Sequence, residues 1–349
     1  MKVFLVFVLF SVGVYSVPLD VIPKEPVVIT PREVVQKESE WALVPDIDGT
    51  FHLVDVNAET PEVDTFFDAE RDVVFRLFTH SVSNRVVELG NPASLTGSTF
   101  NPSHPTRCVI HGWNGDGNSG INNAIRTAYL QRGNFNVFVV DWGLGAGSNY
   151  VTSRNRVENV GRVLARFLAF LNQHTGMNLA SVTVVGHSLG AHIAGLAGKN
   201  TGAAGRIGAI IGLDAAFPLF SFDRPAERLH STDANYVESI HTNSGLLGFD
   251  VPLGMASFYP NGGGSQPGCG IDIAGNCAHS RAHQFFAESI TTDRGFWSRQ
   301  CRGHGDIVNG NCVAIGLDTL MGGEPSNINA RGVFWLRTNN NSPFAMGQV

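Results

Sequence analysis

The 349-residue sequence is poor in charge: Asp, Glu, Lys and Arg make up 15% of it. Positive charge is in the minority, 24 Lys and Arg against 30 Asp and Glu, for a net −6. That leaves no basic footprint for a phosphate backbone, so nucleic acid is excluded as a partner. Beyond the N-terminus no apolar run approaches the ~20 residues needed to cross a bilayer. Internal repeats and low-complexity linkers are also missing, which excludes a repeat array and gives no reason to divide the chain into two domains. Cysteine is scarce and odd in number, at five. Cys269 and Cys277 form one close pair in a Gly-rich loop, and Cys301 and Cys312 form another. Both pairs are expected to bond in an oxidising compartment. Cys108 lies in TRCVIHGW, a buried-strand pattern, and is expected to stay a free thiol.

The N-terminus is the one apolar exception. MKVFLVFVLFSVGVYS has a lysine, an apolar run and then small residues. Residues 1–16 therefore read as a secretory signal peptide, with cleavage near Ser16–Val17. An exported, extracellular protein follows. Residues 17–40, rich in Val, Pro and charge without a period, read as a leader or pro-segment. Residues 41–349 read as one globular domain.

Several β-rich runs punctuate that domain: DVVFRLFTH (72–80), RCVIHG (107–112), NVFVVDW (136–142), SVTVVGH (181–187) and RIGAIIGLD (206–214). Helical spacing appears between them in 123–133 and 157–174, and again directly after Ser188. Strands that are apolar throughout and alternate with helices indicate an α/β fold, a mainly parallel sheet covered on both faces. In such sheets ligands bind beyond the C-terminal strand ends. His111, Asp141, Ser188 and Asp214 all fall at such ends.

One of those ends carries G-x-S-x-G, in SVTVVGHSLGAHIAGLAGK (181–199). The pattern is short, and 40 glycines make chance matches easy. Its context gives it meaning: a strand precedes Ser188 and a helix follows, as a nucleophile elbow requires. Gly186 and Gly190 flank the serine, where side chains would clash in so sharp a turn. A serine hydroxyl needs a base, and the base needs an orienting acid. On this kind of sheet the order is Ser, Asp, His. Asp214 closes the next strand and fills the acid position, while Asp141 precedes Ser188 and reads as structural. His230, His241, His279, His283 and His304 are the candidate bases. His279 stands out because it follows Cys277 just before a helix, but spacing alone does not choose it. An oxyanion needs two backbone N–H donors. Leu189, after the serine, supplies one; Trp113 in VIHGWNGDG (109–117) supplies the other.

IHGW (110–113), DWG (141–143), GHSLGAH (186–192), GLDAAFP (212–218), SIHTN (239–243), FYPNGG (258–263), PGC (267–269) and CAHSRA (277–282) occur in the order found in the pancreatic lipase family. The chain resembles that family from about Trp41 to Ala345. The resemblance implies a single α/β-hydrolase domain with Ser188, Asp214 and His279 as the triad. It implies Trp113 and Leu189 as the oxyanion amides, and no cofactor. The substrate it implies is a lipid ester at a membrane, micelle or emulsion surface.

Departures from the family refine the expectation. Nothing in the sequence matches its C-terminal β-sandwich, so no colipase is expected as a partner. Only GIDIAGN (270–276) separates the two cysteines that bound the family's lid. The loop NSGLLGFDVPLGMAS, between His241 and Phe258, is also short. Such loops are similar to those of A1-type phospholipases and galactolipases, with weak interfacial activation. The region resembling the family's calcium site, 223–237, keeps Arg228 and Asp233 but has Pro225 and His230 at carboxylate positions. Hard Ca²⁺ wants several oxygens, so no metal is expected. Ala215 replaces the usual Pro after the acid. The alternatives are a triacylglycerol lipase and a non-catalytic lipid-binding or storage protein on the same fold.

Overall fold

A computed structural model describes residues 41–46, 50–55, 66–316 and 318–348. The signal-peptide and leader readings, at 1–16 and 17–40, lie outside the described residues. In chain order the first strands are β1 (Trp41–Pro45), β2 (Phe51–Asp55), β3 (Val74–Phe78), β4 (Arg85–Val87), β5 (Thr106–Ile110), β6 (Asn136–Asp141) and β7 (Val182–His187). They are followed by β8 (Ala209–Leu213), β9 (Tyr236–Ile240), β10 (Ala256–Pro260), β11 (Phe296–Cys301), β12 (Thr319–Met321) and β13 (Gly332–Leu336). β1 and β2 form a separate antiparallel hairpin. The rest join one sheet in the order β12-β11-β13-β10-β9-β8-β7-β5-β6-β3-β4.

Neighbours from β6 across to β13 are parallel. The two edges, β3–β4 and β11–β12, run antiparallel. This is the α/β-hydrolase architecture expected from the sequence.

Why the central strands carry apolar residues on both sides is clear from the two cores they separate. In β5, Cys108 and Ile110 belong to one core and Val109 to the other. β6 divides Phe138 and Val140 from Val137 and Val139 in the same way, and β7 divides Val184 from Val185. Alternate side chains point to opposite faces, and each face has its own helical cover.

The covering helices are α1 (Gly120–Arg132), α2 (Tyr150–Thr175), α3 (Leu189–Asn200) and α4 (Asn276–Thr291). α2 and α3 share one core, through Leu164 and Phe167 with Ile193 and Leu196. α1 and α4 share the other, through Ile125 and Tyr129 with Phe285 and Phe286. Each fully buried Leu, Ile or Phe contributes ~2–3 kcal/mol of transfer free energy. α2 starts where the Asn149 side chain accepts from Thr152 N, and stops at Gly176, which takes the left-handed φ of 71°. Both ends use standard cap chemistry.

Both predicted disulfides, Cys269–Cys277 and Cys301–Cys312, are formed. Cys108 is a buried free thiol, and burial pushes its ionisation up to about 12, far from a reactive thiolate.

Candidate active site

Because β5 to β9 are parallel, their C-terminal ends share an edge. Ser188 follows β7 there and opens directly into α3. Its φ of 57° and ψ of −123° lie where a side chain is costly, ~1–3 kcal/mol. Two features hold it. Its N–H donates to Leu213 O at 3.0 Å, and its carbonyl accepts from Ala191 N at 3.1 Å. The flanking glycines are set by space: a Cβ on Gly186 would lie 2.1 Å from Gly190 O, and one on Gly190 would lie 2.5 Å from Ile110 O. So tight a turn lets α3 begin one residue after the serine, with its unpaired N–H groups and partial positive end beside the hydroxyl.

Asp214 follows β8 and is fully buried. A bare carboxylate is costly there, so it must be compensated. Oδ1 accepts from Thr242 N at 2.7 Å and Asn243 N at 3.0 Å. Oδ2 accepts from His279 Nδ1 at 2.6 Å. With Nδ1 donating, the Nε2 of His279 is left for a partner in the cleft it shares with Ser188. No hydrogen bond joins Ser188 and His279 among the described residues. Ala215, where the family has Pro, leaves the turn intact: its carbonyl accepts from Phe249 N at 3.0 Å.

The mount for His279 is the start of α4. Asp272 accepts there from Ala278 N at 2.7 Å and Cys277 N at 3.3 Å, and Gly275 makes the entry turn at φ 73°. The Cys269–Cys277 bridge closes the same loop. From below, His187 Nε2 donates to the His279 carbonyl at 3.0 Å. Burial, with the neighbouring His279 and His283, holds His187 well below the ordinary histidine range. It is therefore a neutral donor, and sequence reasoning missed it because the contact spans β7 and α4.

The other histidines make different contacts. His241 has Nδ1 bonded to Phe249 O and Nε2 to Ser239 Oγ, both at 2.8 Å, and burial pushes it down to about 4. His230 bonds Thr232. His304 lies beside Tyr259. His283 packs edge-on against His187, with its buried Nδ1 unbonded.

Trp113 follows β5 and lines the cleft with Gly112. Its indole donates to Ser148 O at 2.8 Å and meets Tyr150 edge-on at 5.3 Å. His111 Nδ1 donates to Gly112 O at 3.0 Å, and Trp142 Nε1 donates to His111 O at 2.9 Å. Asp141 braces this loop from β6. Burial opposes its ionisation, but His111, the Gly143 amide and Arg76 outweigh it and hold the carboxyl well below the usual range. Leu189 is buried and opens α3 directly after Ser188. Apolar lining comes from Val44, Tyr150, Ala216, Pro218 and Leu247.

In 223–237, Asp233 pairs with the Lys199 ammonium, which also donates to Arg228 O at 2.9 Å. Arg228 donates to Ser221 O and Leu229 O. Elsewhere among the described residues, Cys269, Asp272 and Cys277 come close enough together to hold a metal ion, but those two sulfurs are bonded to each other and offer no thiolate.

A family model described as Lipase matches residues 56–344. Lipase member H-A of Xenopus laevis is 35% identical across 77% of this chain and 58% of its own length. Hepatic triacylglycerol lipase of Homo sapiens is 34% identical across 62% and 48%. Phospholipase A1 VesT1.02 of Vespa tropica is 38% identical across 54% and 66%. The alignments thus span 48% to 66% of these relatives' lengths.

Proposed function

The chain belongs to the lipase family, and from that premise we propose that it hydrolyses carboxylic esters of lipids. The observation that carries this reading is the 2.6 Å bond from His279 to the buried Asp214, beside a serine held at the tip of a strained elbow. Ser188 Oγ attacks the ester carbonyl as His279 Nε2 takes its proton. Asp214 keeps the imidazole in the tautomer that leaves Nε2 free and stabilises the imidazolium. His279 then returns the proton to the leaving alcohol, and water repeats the sequence to release the acid. The amides of Trp113 and Leu189 hold the oxyanion, each contributing ~3 kcal/mol to the transition state. The Ser188–His279 hydrogen bond closes as substrate binds, as catalytic bonds commonly do.

The proposed substrate class is a glycerophospholipid or galactolipid, cleaved at the sn-1 acyl ester. Its support is the seven-residue stretch 270–276 between the bridged cysteines, too short to roof a cleft for three acyl chains. One relative bears the name phospholipase A1 and another triacylglycerol lipase, so neutral glycerides are the second reading. A storage role is disfavoured by the intact Ser188, Asp214 and His279 set. We also infer an extracellular setting, since two disulfides suit an oxidising compartment.

Ser188→Ala tests the chemistry. Hydrolysis of a short-chain ester should fall by at least 10³ while the melting temperature holds; retained turnover would remove Ser188 from the mechanism. Parallel assays on phosphatidylcholine, a galactolipid and a triglyceride emulsion test the substrate. Dominant triglyceride turnover with a jump at the interface would overturn the short-loop argument.

A further inference from the structure

The β1–β2 hairpin stands on the rim of the cleft, and its register gives it two unlike faces. Leu43 pairs with Leu53 and Trp41 with Asp55, so these residues share one face with Phe51, two along from Leu53. Val44 pairs with His52 on the other. That inner face is tied down. Val44 lines the cleft, and His52 meets Trp113 edge-on at 4.9 Å. Asp46 accepts from Asn114 Nδ2 at 3.0 Å and bonds His52 Nε2 at 2.9 Å. The hairpin therefore leans on the loop that carries Trp113.

Apart from Asp55, its outer face is apolar and in water. Leu43 is 61% exposed and Leu53 64%, with Trp41 and Phe51 about half exposed beside them. Four large apolar side chains on one small hairpin are a patch that calls for a partner. The stretch 270–276, which also runs to the cleft, repeats the pattern. It ends at Asn276, another cleft-lining residue, and holds Ile271 at 91% and Ile273 at 68% exposure. Neither rim carries Lys or Arg: the described residues read WALVPD, TFHLVD and GIDIAGN.

We propose that the outer face of the β1–β2 hairpin, together with Ile271 and Ile273, docks the protein on a neutral or zwitterionic lipid surface. The proposal rests on the reading of the cleft as a lipid-ester hydrolase site. Both patches adjoin the cleft that takes the ester, so a lipid surface delivering that ester meets them together. A peptide strand paired on the hairpin accounts for one patch and not the other. The lack of basic side chains sets the chemistry of the surface: attachment is by apolar insertion, not by attraction to anionic headgroups.

The test uses the full chain carrying Ser188→Ala, so that lipid stays intact, and flotation with phosphatidylcholine vesicles. Adding Leu43→Asp with Leu53→Asp should raise the Kd at least tenfold. Binding should be indifferent to NaCl and to added anionic lipid. Ile271→Asp with Ile273→Asp, in an exposed loop, provides an independent arm should the hairpin variant melt early. In the active chain, the ratio of vesicle turnover to turnover of a monomeric short-chain ester should fall at least tenfold in either variant. Unchanged vesicle affinity in both, binding that needs anionic lipid, or a dimer that the substitutions convert to monomer overturns the proposal. A chain that binds vesicles through these rims yet cleaves no ester supports docking and defeats the reading of the reaction, so the two failures are distinguishable.

Discussion

Ser188 keeps a conformation that glycine adopts without cost. Ser188→Gly should therefore raise stability by about 1 kcal/mol while abolishing hydrolysis, a direct trade of fold stability for chemistry. Thermal melting beside an ester assay checks both halves. Asp214→Asn makes a different point. An asparagine still accepts the Thr242 and Asn243 amides, but its NH₂ meets His279 Nδ1 and favours the wrong tautomer. The expected result is a fall in kcat of about 10⁴ with KM little changed, measured on a soluble ester. These two residues were legible in the sequence because each ends an apolar strand. The proposed base was not legible from the residues alone: five histidines follow Asp214, and only the docking of α4 brings His279 to its carboxylate. Family resemblance, not spacing, separated His279 from His241, whose ring turns out to be committed to Ser239 and Phe249.

At the scale of elements, the start of α4 couples stability to the site. Asp272 caps the first turn from inside the short loop, three residues before the Gly275 turn that leads into α4. Asp272→Ala should cost about 1 kcal/mol and lower kcat more than it raises KM, because His279 sits in the turn it releases. A melt and a steady-state comparison test this; equal loss in both constants would mean that the cap does not position the imidazole. The loop's length was readable from its cysteines, while the cap was not, since Asp272 reaches forward past a turn. Element boundaries failed for a similar reason. The period of α2 was legible only from residue 157, yet the helix begins at Tyr150. Its first two turns, YVTSRNR, bury Ser153 and Arg156 by hydrogen bonding and so show no apolar stripe.

For the whole molecule, β5 to β8 in the parallel centre announced themselves by long apolar runs, while β9 and β10, which mix in Glu238, Ser239 and Ser257, did not. The edges stayed hidden: FWSRQC and RVV mix polar with apolar residues and gain strand structure from register with a neighbour. Glu238, in β9, is one stitch between centre and edge. It is fully buried, accepts from Tyr236 Oη at 2.9 Å, and accepts at 2.8 Å from Gly322 N, just past β12. Burial pushes its carboxyl up from 4.5 to about 7. Between those values the unfolded chain releases a proton that the native state retains. Stability from this group is thus greatest below about 4.5, falls as pH rises, and levels off above about 7. A glutamine can accept the Gly322 amide and donate to Tyr236 without any charge to bury. The melting temperature of Glu238→Gln relative to the parent should therefore climb across pH 4.5 to 7.5, toward an advantage of at most about 3 kcal/mol, and stay level beyond. A difference flat across that window would show that the carboxyl ionises inside the fold as readily as outside it, which the absence of any cation among its hydrogen-bond partners argues against.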